Sequence, residues 1–222
     1  MNVARERAVA GYCGIAFSVL SLVVIPLAQP LPPPLGTSGA GFAAYFTAHR
    51  SAFLLGNYLG VLAFAPGLVQ LASLAAEVRR AEKEGGFFTL LVLASGLFAY
   101  VFLACSLVVF QALPFLGAPE LAPATEAMGS FAMVWFSLDG LGALPILVAV
   151  GWAALATGAL PRWFARASFV TAVLAVLMSL GAMSATPAWL GAGGPLTGLG
   201  FVAFFAWTGA LAVAQLRAAR RA

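Results

Sequence analysis

Residues Met133 to Thr157 read MVWFSLDGLGALPILVAVGWAALAT and carry a single charge, Asp139. At 1.5 Å per residue, a helix of this length outreaches a hydrocarbon core of about 30 Å. The stretch therefore reads as a membrane span, and the rest of the chain repeats its character. The 222 residues are 63% hydrophobic and 8% charged, with a mean hydropathy of +1.02. An ordinary soluble domain carries about 25% charged residues.

Working outward, apolar runs fall at Ala8 to Leu27, Ala52 to Ala76, Phe87 to Leu113, Met133 to Thr157, Ala167 to Ser184 and Leu196 to Leu216. They predict an all-α polytopic bundle of six transmembrane helices filling residues 1–222 as one domain, with no room for a soluble domain. The connections are the Pro-rich LPPPLGTSGAG, the charged EVRRAEKEGG, the acidic FLGAPELAPATEA, the short GALPRWFAR and the uncharged TPAWLGAGGP.

Orientation follows from the basic residues, because Lys and Arg are retained on the cytoplasmic side. Arg5, Arg7, Arg79, Arg80, Lys83, Arg162, Arg166, Arg217, Arg220 and Arg221 flank one set of helix ends, and Arg50 alone flanks the other. Both termini are expected in the cytoplasm. The first span also has the basic start of a signal peptide, but its apolar stretch exceeds the usual 7 to 15 residues and no A-x-A site closes it cleanly. An uncleaved anchor is the expectation.

The same asymmetry accounts for the net charge of +4 without nucleic acid. Anionic lipid headgroups are the expected partners of the cytoplasmic basic residues, beside the bilayer itself. Ten arginines against one lysine, with Ala, Gly and Leu abundant, suit a GC-rich bacterial genome and an inner-membrane location. Cys13 and Cys105 fall at different depths of different helices, which argues against a disulfide between them.

Ahead of the second span, Phe42, Tyr45, Phe46, His49 and Phe53 recur at helical spacing. Gly41 to His49 is expected as a short helix on the outer surface, with its rings in the interfacial zone. An irregular loop with scattered aromatics is the alternative.

Counting removes several membrane chemistries. A protease dyad of aspartates needs two, and the chain has one. A retinal Schiff base needs an intramembrane lysine, whereas Lys83 lies in a connection. The lone His49 and two unpaired cysteines supply no metal or haem site, and no nucleotide-binding glycine loop or G-x-S-x-G occurs. No cofactor is expected.

The strongly polar residues inside the spans are Asn57, Gln70, Gln111, Asp139 and Gln215. Asn57 and Asp139 both fall about 8–10 Å below the outer boundary by helical rise, and Gln111 approaches that level from the opposite direction. With His49, Tyr58 and Glu126 they form a candidate polar pocket in the outer half of the bundle. Asn57-Tyr58-Leu59-Gly60 aligns with Asp139-Gly140-Leu141-Gly142, and Pro66 and Pro145 follow, as a repeat-built transporter site would show. Chance in a small alphabet gives the same match.

An ionised aspartate at a helix centre costs about 2.5–3.5 kcal/mol on insertion scales. Asp139 is therefore either a proton or cation site in an outward pocket or a packing residue satisfied by a hydrogen bond. Gly56, Gly60, Gly140 and Gly142 let helices approach closely, within the bundle or at a homodimer face.

At HRSAFLLGNYLGVLA and GALPRWFARAS the chain resembles a loose group of six-helix membrane proteins of GC-rich bacteria, classed as a domain of unknown function. The resemblance implies a bacterial inner-membrane location and brings no activity, ligand or catalytic residue with it. Three readings stand: a non-enzymatic accessory, interaction or sensing protein; a small-molecule, lipid or proton-coupled transporter built on Asp139 and Asn57; and a membrane enzyme using an outer-leaflet acid with His49.

Overall fold

The computed structural model describes residues 2–24, 33, 36–183, 191–192 and 194–221. Most of the Pro-rich connection, the expected ends of the first and fifth spans at Leu27 and Ser184, and the TPAWL stretch lie outside the described residues. The described residues contain no strand and seven α-helices. These are α1 (Val3–Val19, prolonged by a π turn over Leu20–Val24), α2 (Gly39–Ala48), α3 (Arg50–Ala81), α4 (Phe87–Ala112), α5 (Ala122–Thr157), α6 (Arg162–Ser179) and α7 (Pro195–Ala219). All except α2 are long and apolar enough to cross a membrane.

Local chemistry sets the helix ends. Asn2 accepts the Ala4 N–H at 2.9 Å and Ser38 the Gly41 N–H at 3.2 Å, each meeting one of the donors that a helix start leaves free. Glu82 caps α4 from the preceding turn, accepting the Phe88 N–H at 2.6 Å and the Thr89 N–H and hydroxyl. Desolvation raises this carboxyl, but the Thr89 and Phe88 hydrogen bonds and the nearby Arg79 outweigh it and hold the pKa below the ordinary glutamate value. Gly86 (φ 79°) and Gly158 (φ 69°) supply left-handed turns before α4 and after α5. Pro123 and Pro195 sit in first turns, where the missing N–H breaks no bond.

Two expectations need correction. The acidic connection is largely helical, so α5 begins at Ala122 rather than Met133 and spans 36 residues, roughly 54 Å by helical rise. Pro123 reads as a loop residue but occupies the tolerated first turn, and the Thr125 hydroxyl ties the start down by donating to the Leu116 and Leu121 carbonyls. The short helix before the second span is present, but its rings do not lie out in an interfacial zone. Phe42 and Phe46 are both 0% exposed, because the extended start of α5 offers them a protein surface, with Gly129 leaving room for the Phe42 ring.

The six long helices form a closed ring in chain order. Each of α3 to α7 packs on the preceding long helix, and α7 returns to α1. In the antiparallel α3–α4 pair, Gly60 faces Leu107, Gly67 faces Tyr100 and Leu71 faces Gly96. The α1–α7 closure sets Gly11 against Leu216 and joins Ser18 to Thr208 through their hydroxyls at 2.8 Å. Both chain termini emerge at one end of the ring, where Arg80 pairs with Glu6 at 3.0 Å and Arg7 approaches Glu77 at 3.4 Å.

Candidate functional site

At the axis of the ring lies a cavity of about 70 Å³ to which all six long helices contribute. Phe17, Tyr100, Phe201, Phe204, Phe205 and Trp207 give it an aromatic wall, and Gln70, Thr208 and Asp139 are its polar members. Each position follows from a local reason. The Gln70 amide donates to the Thr208 carbonyl at 3.0 Å, so it is fixed between α3 and α7 where it passes over Gly14 of α1. Trp207 is held by its indole N–H donating to the Ser168 hydroxyl at 2.9 Å and by stacking on Phe164. Gly67 leaves the space that the Tyr100 hydroxyl occupies.

Asp139 enters this cavity from α5. The next residue, Gly140, lies so close to the α6 backbone that an added Cβ would meet the Ala175 carbonyl. That approach turns α5 to aim Asp139 at the ring axis and away from the outer surface of the bundle. Both carboxylate oxygens are shut off from the surface without a hydrogen bond. The Ser106 hydroxyl on α4 lies beside the carboxyl without completing hydrogen-bond geometry. A buried polar group in this condition calls for a partner, and a carboxylate calls for a positive one.

The other residues of the candidate pocket do not line this cavity. Following the α3–α4 register, Asn57 falls level with Phe110 and Gln111, about 6–7.5 Å nearer the far end of the ring than Ser106 by helical rise. Both Asn57 amide atoms and Gln111 Oε1 are buried without a partner. Tyr58 turns outward and is 61% exposed. His49 donates its Nδ1–H to the Tyr45 carbonyl at 2.9 Å and packs on the Tyr45 ring. Burial raises the Tyr45 phenol above its ordinary pKa. Glu126 accepts the Gly39 N–H at 2.8 Å. His49 and Glu126 thus mark opposite ends of α2, about 15 Å apart by helical rise, and Asp139 lies 13 residues beyond Glu126 on α5. These groups are out of reach for proton transfer between them.

The packing glycines act inside the chain. Gly60 admits Leu107, Gly142 admits the Phe102 ring, Gly140 admits the α6 backbone, and Gly56 is buried on α3. Tyr100, Thr208 and Trp207 line the cavity and Ser106 lies beside the Asp139 carboxyl, and the sequence did not announce them. Tyr, Ser, Thr and Trp recur throughout such chains, and no spacing marks these four.

A second polar assembly lies at the termini end. Glu77, 5% exposed, faces Arg7 in an ion pair that lacks hydrogen-bond alignment, so Glu77 Oε1 and Arg7 Nε are buried without bonds. Gln215 on α7 is 1% exposed with both amide atoms unpartnered. A cleft of about 660 Å³ opens beside Arg7 and Glu77, lined also by Pro161, Trp163, Arg217 and Arg221. Comparison with family models, with curated proteins and with solved structures returned no match.

Proposed function

We propose that this protein is a membrane carrier that binds a proton or a small organic cation at Asp139 and passes it across the bilayer. The carrying observation is a carboxylate closed off from the surface, without a hydrogen bond, at a cavity shared by all six long helices. An uncompensated charge there is expensive, and intramembrane carboxylates of this kind mark ion and proton pathways. The aromatic wall supports the choice of an organic cation, because ring faces attract ammonium groups most strongly where water is excluded. The cavity is small, and water occupies about 30 Å³ in the liquid, so the closed state suits protons, waters or a methylated ammonium group.

The termini end is assigned to the cytoplasm of a bacterial inner membrane. The ten basic residues that flank it, against Arg50 at the other, support this orientation.

Proteoliposomes test the reading through uptake of tetramethylammonium, which has no neutral form to leak through lipid. Asp139→Asn should remain inserted, with unchanged or raised melting in detergent, and lose at least about tenfold of the flux. Equal flux in wild type and variant would overturn the assignment. Ligand-dependent melting without flux would favour the sensing role over transport.

A further inference from the structure

We propose that the cleft at the termini end binds the headgroup of an anionic phospholipid, a phosphodiester whose substituent carries hydroxyl groups. The cleft shares no lining residue with the central cavity. At about 660 Å³ the cleft is the size of an ordinary ligand pocket, and its walls come from α1, α3, α7 and the α5–α6 connection. It holds three guanidinium groups, Arg7, Arg217 and Arg221, against one carboxylate, Glu77. Arg7 is engaged by Glu77, and among the described residues no carboxylate pairs with Arg217 or Arg221. The cleft therefore has a surplus of two positive charges arranged for an anion. Guanidinium groups suit phosphate because their N–H forks match its oxygens.

The start of α6 adds donors at the same wall. Pro161 stands at its cap position with no side-chain cap, and its carbonyl accepts the Phe164 N–H at 2.9 Å, which leaves the Arg162 and Trp163 N–H groups of this 18-residue helix without an acceptor within it. Trp163, half exposed beside the cleft, is the residue type that settles at headgroup depth.

Glu77 supplies the selectivity. Its side chain is 4% exposed and its Oε1 lacks a hydrogen bond, although it lines the cleft. A bare phosphate would be repelled there, whereas a headgroup hydroxyl can donate to it. Arginines holding the phosphate and Glu77 accepting from a polyol describe the chemistry of phosphatidylglycerol. Phosphatidylcholine offers neither net negative charge nor a donor.

The test uses the full chain in phosphatidylcholine nanodiscs, with phosphatidylglycerol titrated in and both melting temperature and retained lipid measured by native mass spectrometry. Phosphatidylglycerol should raise the melting temperature and remain bound. The Arg217→Gln/Arg221→Gln variant should bind it roughly thirty-fold more weakly, from about 1 kcal/mol per basic residue near the membrane surface. Arg5→Gln/Arg220→Gln removes two charges from the same end but outside the cleft, and should leave binding within about threefold. Equal losses in the two variants would mean diffuse attraction and would overturn the site. A full effect from soluble glycerol 3-phosphate would overturn the lipid as its source.

Discussion

The two ends of the ring solve opposite problems. At the end away from the termini, Phe42, Phe46, Phe53 and Phe110 bury one another. Most polar groups around them are answered, Glu126 by Gly39, Thr125 by two carbonyls and Thr47 by Gly117, with Asn57 and Gln111 as the exceptions. Even Arg50 lies over the Phe115 ring, 5.1 Å from its centroid. At the termini end, both Gln215 amide atoms are buried without a partner, and Arg7 and Glu77 face each other as an ion pair without a hydrogen bond. Dry packing seals one end, and unmet hydrogen-bonding capacity beside an open cleft marks the other. Stability concentrates where the groups are satisfied, while capacity for ligands concentrates where they are not.

The largest expected effect breaks the sealed end. Phe46→Ala removes a fully buried ring that packs 5.0 Å from Phe53 and should lower stability by about 3–5 kcal/mol, read by unfolding in mixed micelles. Loss of less than about 1 kcal/mol would show that α2 is merely laid on the bundle. Next comes the charged end, where Arg7→Ala leaves Glu77 buried without its cation. Arg7 is 26% exposed, so the loss should be about 1–3 kcal/mol, below the roughly 3–5 of a fully buried pair. Adding Glu77→Gln should recover much of that loss, and a double variant as weak as the single would contradict ion pairing as the cause.

The smallest effect concerns pH. Glu82 has a lowered folded pKa, so its contribution is complete above the ordinary glutamate value and disappears as pH falls through the folded one. Melting profiles of Glu82→Gln should therefore be flatter than wild type in that acidic window. Parallel profiles would remove Glu82 from the acid response.

The long helices were legible because run length and charge asymmetry act residue by residue, and the α2 face showed in the spacing of Phe42 and Phe46. The start of α5 was hidden because Pro123, Gly117 and Glu120 carry loop chemistry, and only the packing of α2 reveals the use made of that stretch. Asp139 stood out as a lone carboxylate, yet its surroundings did not. Asn57 and Gln111 looked like its neighbours by depth, whereas the ring turns Tyr100, Gln70 and Trp207 toward the cavity that Asp139 lines. Glu77 read as a residue of the charged connection, since nothing local tells a buried carboxylate from a solvated one. Which side chains share an axis is a property of helix rotation, set by Gly140 against α6 and Gly67 against Tyr100.

The ring in chain order also bears on assembly. Because each long helix after α1 docks on the one just made, most of the bundle forms from neighbours in the chain, with little loop-closure entropy at each step. Only the return of α7 to α1 spans the whole sequence. That last closure brings Thr208 to Ser18 and Gln70. Synthesis of the final helix and completion of the cavity therefore coincide, and a chain truncated before α7 would keep its packed neighbours while lacking an enclosed binding chamber.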